Sequence, residues 1–318
     1  MILALFWRAL WWGLSFHKGQ LGAEVNWIGF AFKLDAVGIK VSIKQEFMKD
    51  FGALVDELLR QRRVSLGEIR SFAGKANHIC NLLYAWRPFI SELWAAIYSR
   101  SAISSGRVWI KQIISTLLWM RCFLDGHRGA LIRTWHFDDF LHPEAAATLF
   151  LDASPWGLGG ILVIGCAVHS FFASKLTQND EEIHGVTVGE HESQQVFEAL
   201  SILVAVKLWI NIFRKKRIVV TLTSDNTRAL AMTATLKVTA SSLIARELAL
   251  LFSETSFQPR HVDHLPGVMN TYADALSRLY EPNAKYRIPE ELRKAKQVHA
   301  PARTRSFYST LAHTAQGG

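Results

Sequence analysis

Apolar and polar positions change rhythm twice along the 318-residue chain. Up to about residue 35, short apolar runs alternate with Gly13, Gly19, Gly22 and Gly29, the pattern of strands joined by tight turns. From Lys44 the apolar residues Phe47, Phe51, Leu54, Val55, Leu58 and Leu59 fall three and four apart, which predicts a helix with one apolar face. Ser65 and Glu68 have capping-box spacing and open a second helix, which carries Ile69, Phe72, Ala73 and Ala76 towards a break at Trp86-Arg87-Pro88. Two more helical stretches follow, Ile90 to Tyr98 and Arg107 to Leu124. The Gly- and Asp-bearing segment 125–145 reads as a linker.

Beyond it the texture alternates. ATLFLDAS, GLGGILVI and VHSFFAS read as three paired strands, and 177–193 as a long polar loop. Gln195 to Phe213 is a strong helix, IVVTLTSDN a buried strand, and 227–252 helical again. The order βββ-α-β-α-β-α predicts an α/β domain over 146–280, preceded by a mostly helical region over 44–124. The tail 281–318 is basic and poor in large apolar groups, so it is expected to be mobile.

Composition narrows the function. Half of the residues are hydrophobic and a fifth charged, which excludes bulk disorder. The balance of 36 Lys+Arg against 27 Asp+Glu leaves +9, which favours polyanionic partners, nucleic acid before membrane surface. Cys80, Cys122 and Cys166 are odd in number and far apart, unsuited to a disulfide framework or a metal knuckle. They point to a reducing compartment. The opening MILALFWRALWWGLSF lacks a basic start and a small-residue cleavage site, and Arg8 divides it. No stretch is expected to supply the roughly 20 apolar residues of a bilayer span. The expectation is an intracellular protein, cytoplasmic or nuclear, neither secreted nor held in a membrane.

Four carboxylates stand where an α/β sheet places its ligands. Asp152 ends the strand ATLFLD, ahead of Gly157, Gly159 and Gly160; Glu198 opens the helix FEALSILVAVKLW; Asp225 ends IVVTLTSD; and Asp274 follows the turn HLPGVMN. Strand ends and helix starts gather at one sheet edge. Converging carboxylates repel one another unless cations intervene. Hard oxygen donors suit two Mg²⁺ or Mn²⁺ ions, which in phosphoryl transfer sit about 3.5–4 Å apart. Taken singly, Asp152 is a turn residue, Asp225-Asn226 a helix cap, Asp274 a first-turn dipole partner and Glu198 part of a solvated face, with Glu190 and Glu192 as competitors. The His261-x-x-His264 pair lacks a third ligand for zinc.

The strings FLDASPWGLGG, FEALSILVAVKLW, VTLTSDN and HLPGVMNTYADALSRL resemble the ribonuclease H domain of retroelement reverse transcriptases, the last in its retrotransposon form. The resemblance implies a ribonuclease H-like mixed sheet flanked by helices. It implies that Asp152 bridges two metal ions, that Glu198 and Asp225 complete one site and Asp274 the other, and that His264 assists proton transfer or product release. HKGQLGAEVNWIGFAFKLDAVGIKVS resembles the end of a reverse-transcriptase palm, over 1–43, and SLGEIRSFAGKANHICNLLYAWRPFISELW the thumb and connection of DIRS-type or LTR-like elements. The implied substrate is an RNA/DNA hybrid, with the remainder of a retroelement polyprotein as a further partner. Expected nucleic-acid contacts are Trp27 near the primer-holding hairpin, the cluster Arg60, Arg62 and Arg63, and Asn226, Asn270 and Arg278. Polymerase activity is not expected, because the paired-aspartate hairpin of that family precedes the Trp-Ile-Gly segment, and Asp138-Asp139 lie on its wrong side. The competing expectation is a catalytically idle remnant that binds nucleic acid.

Overall fold

The computed structural model describes residues 20–310 apart from 21, 28, 138–144, 216–217, 239–240, 256 and 284. The opening apolar run and Asp138-Asp139 fall outside the described residues.

Strands β1 (Glu24–Trp27), β2 (Phe30–Leu34) and β3 (Gly38–Ile43) form an antiparallel meander. Asp35 closes the β2–β3 turn by accepting from the amides of Val37 and Gly38. Helix α1 (Gln45–Arg60) follows and buries Phe51, Val55 and Leu58, as its periodicity predicts. A short strand β4 (Arg63–Ser65) leads into α2 (Leu66–Leu82), where Ser65 and Glu68 exchange both capping-box hydrogen bonds. Then come α3 (Arg87–Ile97), α4 (Arg100–Ser105), β5 (Arg107–Trp109) and α5 (Ile110–Leu124). The helix expected from Arg107 starts three residues later, because Arg107–Trp109 pair with β4 after Gly106 turns the chain through a positive φ. Part of the expected linker is also a strand: β6 (Ile132–His136) adds to the free edge of β3. Gly38 permits that pairing, since a Cβ there would lie 2.1 Å from the Trp135 carbonyl oxygen.

The second half is built on a six-stranded mixed sheet of the ribonuclease H-like kind, in the order β11-β10-β7-β8-β9-β12. Strands β7 (Ala145–Ala153), β8 (Gly157–Ile164) and β9 (Ala167–Lys175) are antiparallel neighbours. After α6 (Gln178–His184) and α7 (Gln194–Lys215), β10 (Ile218–Ser224) returns parallel to β7. Helices α8 (Thr227–Thr235) and α9 (Ser242–Thr255) precede β11 (His261–His264), which is parallel to β10, and α10 (Thr271–Ser277) packs over β7 and β8. The stretch His191–Phe213 is long and apolar enough to cross a membrane, contrary to the expectation that none is, and it lies 72% buried inside the fold. Its side chains Phe197, Leu200, Leu203, Val204 and Val206 are fully buried.

Two expectations for polar segments are corrected. The 177–193 loop contains α6, which starts on a capping box between Thr177 and Asp180. The tail, expected to be mobile, is packed against the fold over residues 285–310. Strand β12 (Lys296–Gln297) pairs with β9, and Phe307 and Tyr308 are buried. Arg303 forms a buried double contact with Asp180 and also donates to Ser174 and to the Lys175 carbonyl. Few apolar residues are needed when one buried arginine satisfies so many acceptors. The two halves share one hydrophobic cluster. Across it Glu92 of α3 accepts from Arg246 of α9, and Arg87 donates to the Thr235 carbonyl.

Candidate metal centre

Local chemistry places each carboxylate. The buried strands β7 and β10, rich in aliphatic residues, run parallel from Ala145 and Ile218, so Asp152 and Asp225 emerge at the same edge. Helix α7 is packed over β7 by its apolar side chains, and Glu198 in its second turn faces that edge. One ligand oxygen from each of Asp152, Glu198 and Asp225 lies within 4.8 Å of the others. Asp152 and Glu198 are 4% exposed and Asp225 is half-buried.

Three features hold the group. Ser277, fully buried at the end of α10, donates to Asp152 Oδ2 at 2.6 Å. Gln194, one turn before Glu198, donates to Glu198 Oε1 at 3.0 Å and to the Ala153 carbonyl, while its own amide oxygen is buried without a partner among the described residues. Gly157 and Gly159 let β8 touch α10 backbone to backbone; a Cβ on Gly159 would lie 2.4 Å from the Ala273 carbonyl oxygen.

The electrostatics follow from burial. Desolvation, reinforced by the charges of Asp225 and Asp274, pushes the Asp152 carboxyl up to about 7, against the Ser277 hydrogen bond and the positive charge of Arg278. Glu198 is raised well above the usual carboxylate range, first by burial and then by Asp152 and Asp225. No lysine or arginine forms an ion pair with any of the three among the described residues. A set of three oxygen donors without a counter-ion, two of them buried, fits a hard divalent cation.

The remaining predicted residues are placed less uniformly. Asp274 on α10 lies near enough to raise Asp152 but outside the group of three, and Arg278 one turn on donates to its Oδ1 at 2.6 Å. His264 is exposed at the end of β11, opposite Ser224 in register and so beside the strand end that carries Asp225. Asn270, expected as a nucleic-acid contact, is instead buried, donating to the Leu151 carbonyl and fixing the turn before α10 to β7. Asn226 accepts from the amides of Arg228 and Ala229 as the cap of α8, so its carbonyl is committed to the backbone. Trp27, 65% exposed on β1, and the exposed Arg60, Arg62 and Arg63 belong to the other half of the chain. Sequence reasoning overlooked Gln194 and Ser277. The four-residue spacing of Gln194 from Glu198 on one helix face was the available signal for the first.

The arrangement is thus a carboxylate centre at the strand-end edge of a ribonuclease H-like sheet. No protein-family model and no curated protein matches the chain. Among solved structures, the chain is similar to a foamy viral protease-reverse transcriptase in complex with RNA/DNA hybrid, at 15% identity and a TM-score of 0.31, over 85% of this chain and 34% of that one. It is similar also to the same enzyme in complexes with double-stranded DNA, at 15% identity and a TM-score of 0.27, and, in a form designated dRH, at 14% and 0.28. The chain spans less than half the length of these structures, 34–45% of each.

Proposed function

We propose that this protein is a divalent-metal-dependent endonuclease that hydrolyses the RNA strand of RNA/DNA hybrids, as the ribonuclease H part of a retroelement reverse transcriptase acting inside the cell. The observation that carries the reading is the buried convergence of Asp152, Glu198 and Asp225 without a counter-ion. The excess of 36 Lys+Arg over 27 Asp+Glu supports a polyanion, nucleic acid, as the partner. The helical stretch 44–124 is then a thumb- and connection-like platform for the duplex.

Asp152, Glu198 and Asp225 would hold Mg²⁺ or Mn²⁺, with Asp274 completing a second position, and bound cations would supply Lewis-acid stabilisation of the charge that develops on the scissile phosphate. Ser277 keeps Asp152 Oδ2 engaged, so that Oδ1 is left for the centre. Gln194 restrains Glu198 and the end of β7 together. Gly267 approaches Asp225 so closely that a Cβ would lie 3.1 Å from its Oδ2, so a side chain there would crowd the carboxylate. His264 on the exposed rim is the residue that would assist proton transfer at the leaving oxygen or product release. Arg278, which now donates to Asp274, would be the residue placed to pair with a substrate phosphate if Asp274 were to hold a cation. Hybrid shape and 2′-hydroxyl contacts would set selectivity.

The test is cleavage of a labelled RNA strand in a hybrid with Mg²⁺, with Mn²⁺ and with EDTA, beside Asp225→Asn. Metal-dependent cutting of hybrid but not of duplex DNA, reduced at least about 10³-fold in the variant, is expected. A folded protein that binds hybrid and leaves it intact is the nucleic-acid-binding remnant instead.

A further inference from the structure

The β4–β5 ribbon has two unlike faces. Its register sets Val64 opposite Val108, Arg63 opposite Trp109 and Ser65 opposite Arg107. The valines are 1% and 0% exposed and anchor the ribbon to the helical core. Because side chains alternate across a strand, the flanking pairs share the outward face, and there Trp109 is 42% exposed. The Arg63 guanidinium carbon lies 3.5 Å from the centroid of the Trp109 ring. Arg60 at the end of α1, Arg62 beside it and Lys111 in the first turn of α5 are exposed as well.

Charge is concentrated here. Segments 60–63 and 107–111 bring together five cations and no carboxylate. None of Arg60, Arg62, Arg63 and Lys111 forms an ion pair among the described residues. Arg107 feels the charge of Glu68, but that carboxylate is already engaged by the Ser65 hydroxyl and amide. An exposed cation–π pair contributes only about 0.5–1 kcal/mol, too little for stability to explain it. Its geometric effect is larger. Stacking fixes the plane of the Arg63 guanidinium while its N–H edge stays free, the preorganised fork suited to phosphate oxygens.

We propose that the β4–β5 ribbon is a second docking surface, for the phosphate backbone of a nucleic-acid duplex. Arg63 and Arg107 each take a phosphate, Arg60, Arg62 and Lys111 extend the track, and Trp109 is the positioning residue that orients Arg63. The ring is covered by the guanidinium rather than free to insert among acyl chains, which favours nucleic acid over an anionic bilayer. The inference rests on the nuclease reading only for the class of ligand.

Binding of a labelled RNA/DNA hybrid, read by fluorescence anisotropy over a salt series in EDTA, tests it, with the full chain carrying Asp225→Asn so that no strand is cut. Counter-ion release lowers log K with log salt by about 0.9 per phosphate on a B-form duplex, so Arg63→Gln/Arg107→Gln is expected to flatten the slope by about 1.8. Arg60→Gln/Lys111→Gln, both beyond the Arg63–Trp109 end of the ribbon, is expected to do the same to a similar degree. Trp109→Leu should weaken binding while leaving most of the slope, and Trp109→Phe should restore it. Unchanged slopes in both double variants overturn the proposal, as does tighter capture by phosphatidylserine vesicles than by hybrid. Cleavage by the otherwise unaltered chain separates the two readings. Cutting with unchanged slopes leaves the nuclease and removes the ribbon, whereas flattened slopes without cutting do the reverse.

Discussion

Replacing Arg303 by leucine removes more than a surface charge. The arginine side chain is 4% exposed and that of Asp180 0%. Nε donates to Asp180 Oδ1 at 2.8 Å, Nη2 to Asp180 Oδ2 at 2.9 Å and to the Lys175 carbonyl at 2.6 Å, and Nη1 to Ser174 Oγ at 2.7 Å. In Arg303→Leu the aspartate keeps only the Thr177 amide and hydroxyl. An ionised carboxylate left in the interior costs about 3–5 kcal/mol. Asp180→Asn retains an acceptor for the Thr177 amide and removes the charge, so adding it to Arg303→Leu should recover much of the loss. The coupling in such a cycle is expected near 2–3 kcal/mol. Urea unfolding followed by circular dichroism reads the loss as a fall in midpoint at constant slope, by about 1–5 M if the slope is near 1–3 kcal/mol/M. A midpoint within the ±0.5 kcal/mol of an ordinary surface substitution would refute the reasoning. The tail would then be the mobile segment its composition suggests.

Three further outcomes follow from the centre and its packing. Asp152 binds its proton more tightly folded than unfolded, so the metal-free protein loses stability as pH rises from about 4 to about 7. The gap between wild type and Asp152→Asn should widen over that window by on the order of several kcal/mol. His184, held down to about 4 by burial, acts in the opposite sense and cancels in that difference. Millimolar Mg²⁺ should raise the melting temperature of the wild type at neutral pH and leave that of the variant unmoved. Gly159→Ala forces a Cβ to within 2.4 Å of the Ala273 carbonyl and 2.7 Å of the Ser277 amide. It should cost about 1–3 kcal/mol or more in a thermal melt and reduce cleavage further than hybrid binding, because α10 carries Asp274.

Features fixed by near neighbours were legible in the sequence. The apolar spacing of α1, the Ser65 capping box and the strand-ending positions of Asp152 and Asp225 each depend on a few adjacent residues. What escaped depends on partners far away. Arg107–Trp109 reads as the start of a helix until β4 is beside it, and Ile132–His136 reads as linker until it meets β3. Polar residues misled most. Asn270 looks like a ligand and is a buried tie to Leu151, whereas Gln194 looks like an ordinary helix residue and restrains Glu198. A polar side chain takes its meaning from the acceptor it finds, and that acceptor is seldom nearby in sequence.

The Arg303–Asp180 pair also sets a timetable for synthesis. Asp180 leaves the ribosome 123 residues ahead of its partner, an interval of about 6–25 s at about 5–20 residues per second. Throughout it the nascent chain has a carboxylate it cannot bury and a β9 edge still awaiting β12. Strand β12 and the arginine that completes the buried pair arrive within a few residues of each other, so a chain halted before residue 296 presents chaperones with an open sheet edge rather than a nearly finished fold.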